Sequence, residues 1–114
     1  MSVCTGVRQL AAAGLLDGKQ ATTHHWFIDD FQQRFPKVHF QLGVRFVEND
    51  RVSTSAGQSA GVDLALHVVE RYFGRSIAEA TADYLEYNNT QWKDPQAWAS
   101  GTSGQTANHS GQKY

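Results

Sequence analysis

The longest periodic segment of the chain, residues 57–73, predicts an amphipathic helix. Its apolar side chains recur at three- and four-residue intervals, as on one face of a helix: Val62, Leu66, Val69 and Phe73. Gly74 follows at once and is expected to end this helix, because glycine adopts the left-handed backbone of a C-cap without strain. Ser76 is expected to cap a further helix, with Glu79 at the third position of a capping box.

Shorter patterns precede that helix and alternate between strand and helix. Residues 44–47 and 51–55 flank the turn pair Asn49 and Asp50, which predicts a β-hairpin. Three further elements are expected earlier in the chain: a helix after Gly6 that ends near Gly14, a strand over 20–23, and a helix over 26–34 that stops before Pro36. Interleaved short strands and helices are typical of an α/β fold.

The composition excludes several classes of function. The chain has 10 Lys and Arg against 11 Asp and Glu, so no positive field would recruit nucleic acid or an anionic membrane. It contains no apolar run of about 18 residues and no signal-peptide pattern at the N-terminus. The single cysteine rules out an internal disulfide and fits a reducing compartment. We expect a cytoplasmic protein that binds neither nucleic acid nor membrane.

The composition changes near Lys93, and residues 93–114 consist mostly of small and polar residues. Such a segment buries too little apolar surface to offset the entropy of ordering it. We expect residues 1–92 to form the folded part and residues 93–114 to be a disordered tail. The alternative is a tail that docks on a partner through Trp98.

The segment Ser2-Val3-Cys4-Thr5-Gly6 places a cysteine between small residues, directly before a predicted helix. A sharp strand-to-helix turn would hold its sulfur out of the sheet, and the helix N-terminus would stabilise the thiolate. The backbone N–H groups of Thr5 and Gly6 would face an anionic intermediate. A buried structural cysteine is the simpler alternative for these five residues alone.

Several motifs occur in one order and together resemble the ThiJ/PfpI superfamily, the glutamine-amidotransferase-like group that includes Parkinson disease protein 7 and isonitrile hydratase. They are Ser-Val-Cys-Thr-Gly at 2–6, Ala-Gly-Leu-Leu-Asp-Gly at 13–18, Ala-Thr-Thr-His at 21–24, Arg-Phe-Pro at 34–36, Thr-Ser-Ala-Gly at 54–57 and Ala-Gly-Val-Asp-Leu-Ala-Leu-His at 60–67. The Cys-Thr-Gly version is similar to the branch shared by isonitrile hydratases and the sensor domains of some AraC-type regulators.

The resemblance implies a flavodoxin-like sheet between helices, a homodimer when intact, and no cofactor. Cys4 would be the nucleophile, Thr5 would help to shape the anion site, and His24 would lie near the sulfur and tune its protonation. A histidine bonded at a strand end is an equal alternative for His24. Exposed N–H groups at the turn of Ser55 and Gly57 would contact a ligand, although such turns more often serve close packing.

Two histidines in sequence, His24 and His25, are not expected to bind a metal ion together, because neighbouring strand residues point to opposite faces. Asp63, on the long helix, is expected to make a structural contact rather than to act in catalysis. The proteolytic branch of the superfamily has histidine directly after the cysteine, where this chain has Thr5, so no proteolysis is expected.

The superfamily domain has a first half that carries the opening strands and an acidic residue touching the cysteine, whereas only Met1 to Val3 precede Cys4 here. We therefore expect the C-terminal half of such a domain, a partial sheet that begins at the nucleophile turn, from a truncated product or a gene-model fragment. When intact it would be a cysteine-dependent hydratase or hydrolase of small electrophilic compounds, and inactive as this fragment. The alternative is a non-catalytic ligand-sensing domain.

Overall fold

The computed structural model describes residues 1–100, which form ten short elements. In chain order they are β1 (Ser2–Val3), α1 (Val7–Ala12), β2 (Gln20–Ala21), α2 (Ile28–Arg34), β3 (His39–Phe40), β4 (Phe46–Glu48), β5 (Thr54–Ser55), α3 (Gln58–Phe73), α4 (Arg75–Tyr84) and β6 (Ala99–Ser100). Strands and helices alternate over most of this length, so the predicted α/β class is confirmed.

The strands form two sheets, of which the larger is mixed and the smaller is a parallel pair. The larger sheet has the order β1-β5-β4-β6, and the smaller one pairs β2 with β3. β1 and β5 are parallel, β4 and β5 are antiparallel, and β6 is parallel to β4. The antiparallel pair confirms the predicted hairpin, in which Phe46 lies opposite Ser55 and residues 49–53 connect the strands.

α3 packs closely against β1, the strand that leads into Cys4. Gly61 faces Val3 so tightly that a Cβ at this glycine would lie 2.7 Å from Val3 Cγ1. Only a residue without a side chain allows that approach, which explains the glycine inside a helix. The helix ends as predicted at Gly74, whose φ of 93° is the left-handed conformation that glycine adopts freely.

Buried apolar residues form one larger core and two smaller ones. The larger core joins α1 and α2 to the small sheet and contains Val7, Ala11, Leu16, Ala21, Phe31 and Val38. A second lies between α3, α4 and Trp92, and a third contains Val44, Val47 and Ala99. The large sheet itself is contacted by α3, along β1, β4 and β5, and by α1 at β1, and these contacts position the ends of β1 and β5, where Cys4 and Gly57 lie.

Two sequence predictions about boundaries are wrong. Ser76 does not cap α4; Gly74 is the N-cap, without a side-chain hydrogen bond, and Ser76 lies inside the first turn. Residues 93–100 are not disordered, because Trp98 stacks on Phe46 and β6 pairs with β4. The expectation for residues 101–114 lies outside the described residues.

No helix in residues 1–100 is both long and apolar enough to cross a membrane.

Candidate functional site

Cys4 has an unusual backbone conformation at the end of β1. Its φ is 56°, in the left-handed region that residues with a Cβ seldom adopt. Two hydrogen bonds hold it there: the Cys4 N–H donates to the Ala56 carbonyl (3.0 Å), and the Thr23 hydroxyl donates to the Cys4 carbonyl (2.9 Å). A 3₁₀ turn, Cys4–Gly6, then leads into α1. A strained cysteine between strand and helix has the geometry of a nucleophile elbow.

Cys4 opens onto a cleft of about 510 Å³, called the Cys4 cleft below. It is lined by Cys4, His24, His25, Arg45, Ala56, Gly57, Gln58 and Ser59. Four parts of the chain therefore meet at this point: the turn after β1, the turn after β2, the residue before β4, and the junction of β5 with α3. Among these described lining residues there is no carboxylate, so the acidic partner implied by the resemblance is not found in this lining.

His24 is one of the residues that line the Cys4 cleft. Its ring packs on Gly57, and a Cβ at that glycine would lie 3.4 Å from His24 Cδ2. The backbone N–H of Trp26 donates to His24 Nδ1 (3.1 Å), so a neutral His24 ring carries its hydrogen on Nε2. In that tautomer Nε2 is a hydrogen-bond donor, and Nδ1, which accepts from Trp26, is not free to take a proton from a ligand.

His25 does not point away from His24, as its predicted place on a strand required. The residue lies in a 3₁₀ turn, and its ring stacks on that of His24 with centroids 4.6 Å apart. Within residues 1–100 no three His, Cys, Asp or Glu side chains come together as a metal site. The stacked pair instead forms one wall of the Cys4 cleft.

The other predicted site residues separate into two groups. Gly57 lines the Cys4 cleft beside His24. Ser55 does not line it: the residue is fully buried in β5, and its hydroxyl donates to the Ser2 carbonyl (3.3 Å). Thr5 and Gly6 follow Cys4 directly but line a neighbouring cleft of about 330 Å³ together with Phe27.

Arg45 is a residue of the Cys4 cleft that the sequence analysis missed. Its Nε donates to Asp63 Oδ2 (2.7 Å), and its Nη2 lies 2.6 Å from the same oxygen. The Tyr87 hydroxyl donates to the other oxygen, Oδ1 (2.8 Å). Burial, and then the bond to Asp63, raise the pKa of Tyr87. Asp63 therefore makes the structural contact that was expected of it. The sequence feature that could have indicated a role for Arg45 is its charge within the otherwise apolar residues 44–47.

Comparison with known proteins decides the family. The family model described as DJ-1/PfpI family matches residues 1–71, more than half of the chain. The chain belongs to the DJ-1/PfpI family. The α/β arrangement of residues 1–100 agrees with the flavodoxin-like fold of this family, in the part that the chain covers.

Relatives of two kinds resemble this DJ-1/PfpI chain to a similar degree. Isonitrile hydratase of Pseudomonas putida is 38% identical over 86 residues, which are 75% of this chain and 36% of that enzyme. The HTH-type transcriptional regulator GbdR of Pseudomonas aeruginosa is 35% identical over 86 residues, 75% of this chain and 23% of the regulator. The regulator CdhR of the same species is 39% identical over 74 residues, 65% and 22% respectively. The matched part of the chain thus spans between about a fifth and little more than a third of these proteins.

Proposed function

We propose that the intact protein is a cysteine-dependent hydratase or hydrolase of small electrophilic compounds, of the isonitrile hydratase kind. The observation that carries this proposal is the left-handed conformation of Cys4 at the mouth of a cleft that also holds His24. Strained backbone at a nucleophile is typical of acyl- and imidoyl-transfer sites, because the turn presents the nucleophile away from the sheet.

The proposed reaction needs no cofactor. The Cys4 sulfur adds to the terminal carbon of an isonitrile, and a proton moves to that carbon, giving a thioimidate. Water then adds to the same carbon and the thiol leaves, so that isonitrile and water give an N-substituted formamide. In this scheme the Nε2–H of His24 stabilises the thiolate, and the backbone N–H of Gly57, which lines the same cleft, stabilises developing negative charge.

The chain by itself should turn over slowly or not at all. The described lining of the Cys4 cleft offers no carboxylate to transfer protons, and a positioned acid or base is typically worth about 10²–10⁴ in rate. We propose that the intact protein supplies this group and is a homodimer. We further propose that it works in the cytoplasm on a small molecule, without direct contact to nucleic acid or membrane.

The first test measures the reactivity of Cys4 with iodoacetamide by intact-protein mass spectrometry. We expect Cys4 to react faster than free cysteine at the same pH. His24→Ala should slow the reaction by about tenfold or more, since a hydrogen bond to a charged group is worth about 1.5–3 kcal/mol. The matched control is His39→Ala, which removes an exposed histidine of β3. A Cys4 rate equal to that of free cysteine, or an equal effect of both variants, would contradict the proposal.

A ligand-sensing domain is the second candidate, favoured by the regulators that match at nearly the same identity as the hydratase. The two functions differ in turnover. A chimera in which this chain replaces the corresponding half of an intact homologue should convert an isonitrile to a formamide, and Cys4→Ser should abolish the conversion. NMR of the substrate and product measures it. Ligand binding in the cleft with no Cys4-dependent product would favour the sensing role.

A further inference from the structure

We propose that Arg45 recognises an anionic group of the ligand in the Cys4 cleft, and that Asp63 and Tyr87 hold its guanidinium in place. The inference concerns the same cleft as the proposed function and rests on that function only for the presence of a ligand. It does not depend on which reaction, if any, takes place at Cys4.

The backbone of Arg45 is fixed on both sides of the strand. Its N–H donates to the Ala97 carbonyl (2.7 Å), and its carbonyl accepts from the Ala56 N–H (2.9 Å). Ala56 also bonds to Cys4 through its own carbonyl, so one residue ties the backbones of Arg45 and Cys4 together. The backbone of Arg45 consequently cannot shift relative to that of Cys4 without breaking the hydrogen bond from Ala56 to Arg45 or the one from Cys4 to Ala56.

The side chain of Arg45 is held from behind by a carboxylate that solvent does not reach. Asp63 is 0% exposed, whereas 23% of the Arg45 side chain is exposed. Tyr87 donates to the second oxygen of Asp63, and the Ser59 hydroxyl accepts from Arg45 Nη2 (3.1 Å). These bonds orient Asp63 and Arg45 so that an incoming ligand meets the cation and not its partner.

The bonds to Asp63 and Ser59 use Nε and Nη2 of Arg45, and Nη1 carries two more N–H groups. A guanidinium recognises planar anions through pairs of such donors. No acidic side chain lines the Cys4 cleft among the described residues, so none competes there for the cation. A partly buried ion pair is also weak evidence of a purely stabilising role, because desolvation offsets much of its attraction.

The test compares two alkylating reagents of similar size at Cys4, iodoacetate and iodoacetamide. In both, the sulfur forms a bond to the methylene carbon as iodide leaves; only the first carries a negative charge. Because the chain has a single cysteine, mass spectrometry assigns each adduct without ambiguity. The measured quantity is the ratio of the iodoacetate rate to the iodoacetamide rate, in which the intrinsic reactivity of the thiol cancels.

Arg45→Gln should lower this ratio about fivefold or more, since it removes a positive charge from the lining of the cleft in which the reagent reacts. Arg45→Lys should keep most of the ratio. Arg34→Gln is the matched control, because Arg34 lines the neighbouring cleft and pairs with Asp30 at the surface (3.2 Å). Asp63→Asn changes the ratio in the opposite direction: it removes the counter-charge and should raise the ratio. This variant tests the proposal even if Arg45→Gln does not fold.

An unchanged ratio in folded Arg45→Gln would overturn the proposal, and so would an equal loss in Arg34→Gln or a fall in Asp63→Asn. Failure of the proposed function has a different signature. A Cys4 that reacts no faster than free cysteine with iodoacetamide contradicts the nucleophile assignment, yet the ratio between the two reagents still reports the charge of the cleft.

Discussion

Asp63 and His67 lie one turn apart on α3, and the two buried side chains differ in how completely they are hydrogen-bonded. Both residues are buried, and both pair with a residue of the segment around β4. Each oxygen of Asp63 accepts a hydrogen bond. His67 pairs through Nε2 with Glu48 (3.0 Å), whereas its Nδ1 has no partner within residues 1–100.

The surroundings of the two residues explain this difference. Asp63 accepts bonds from Tyr87 and from Arg45, and Arg45 lines the Cys4 cleft, so these bonds hold a cation in the cleft wall. His67 packs against the rings of Phe46 and Trp98, with centroids 5.0 Å and 4.5 Å away, and these two rings also stack on each other, so that the three rings together dock β6. At Asp63 the hydrogen bonds orient the guanidinium of Arg45, and both carboxylate oxygens accept one. At His67 the stability comes from aromatic packing, and an unpaired ring nitrogen is tolerated. The three predictions below test this contrast.

The largest effect is expected for Asp63→Ala. This change leaves the partly buried guanidinium of Arg45 and the hydroxyl of Tyr87 without their partner, which should lower the free energy of unfolding by about 2–3 kcal/mol. Glu79→Ala breaks the exposed pair with Lys93 (3.2 Å) and should cost less than about 0.5 kcal/mol. Urea denaturation of both variants measures the difference. Equal losses would mean that the Asp63 network does not stabilise the fold.

The motif that contains Asp63 and His67 shows how far the sequence predicts this structure. Helical spacing of apolar residues predicts α3, and Gly74 predicts its end, because both depend on neighbours a few positions away. The bonds of Asp63 could not be predicted, since Arg45 and Tyr87 lie 18 and 24 positions from it and meet only in the fold. Chain spacing carries no information about such contacts.

The same limit explains the errors at the end of the chain and in the turns. Residues 93–100 lack apolar periodicity, and their order comes from pairing with the edge of β4 and from one ring, Trp98. Gly74 is both the C-cap of α3 and the N-cap of α4, so Ser76 lies two positions too late to cap. The Cys4 turn was predicted from its small neighbouring residues together with the ordered series of motifs that resembles the family, because the five local residues alone left a structural cysteine as the simpler alternative.

An intermediate effect is expected for Trp98, the residue that docks β6 beside His67. Trp98→Ala removes the stacking on Phe46 (centroids 5.2 Å apart) and on His67. It should cost about 2 kcal/mol, less than for a fully buried tryptophan, because Trp98 is only partly buried. Trp98→Phe is the matched control: it keeps a ring and removes an indole N–H that has no partner among the described residues.

Denaturation and limited proteolysis after Lys93 measure these two Trp98 variants. The alanine variant should expose the segment to protease, and the phenylalanine variant should behave nearly like the parent, since an unpaired buried donor contributes no stability. A phenylalanine variant as unstable as the alanine variant would show that the indole N–H matters. Our interpretation that unpaired polar groups are tolerated around His67 would then be wrong.

The smallest effect concerns the pH dependence that Tyr87 gives to the Asp63 site. Burial, and next the hydrogen bond to Asp63, raise the pKa of Tyr87 above its usual value of about 10. A raised phenol pKa in the folded state means that its contribution to stability is complete below about pH 10 and is lost as the pH rises through the folded-state pKa. The parent chain should therefore lose more stability than Tyr87→Phe over this alkaline range.

Urea denaturation at a series of alkaline pH values, with tyrosinate absorbance as a second measurement, checks the effect of Tyr87. Asp63→Asn is the informative partner variant: it keeps the phenol buried but removes the carboxylate, so the difference should shrink without vanishing, because burial is the larger cause. If the parent and Tyr87→Phe lost stability in parallel, the Tyr87 phenol would have the same pKa in the folded and the unfolded state. Tyr87 would then not be the half-buried donor that holds Asp63 behind Arg45. The Asp63 site would instead resemble the site at His67, where one ring nitrogen has no hydrogen-bond partner among the described residues.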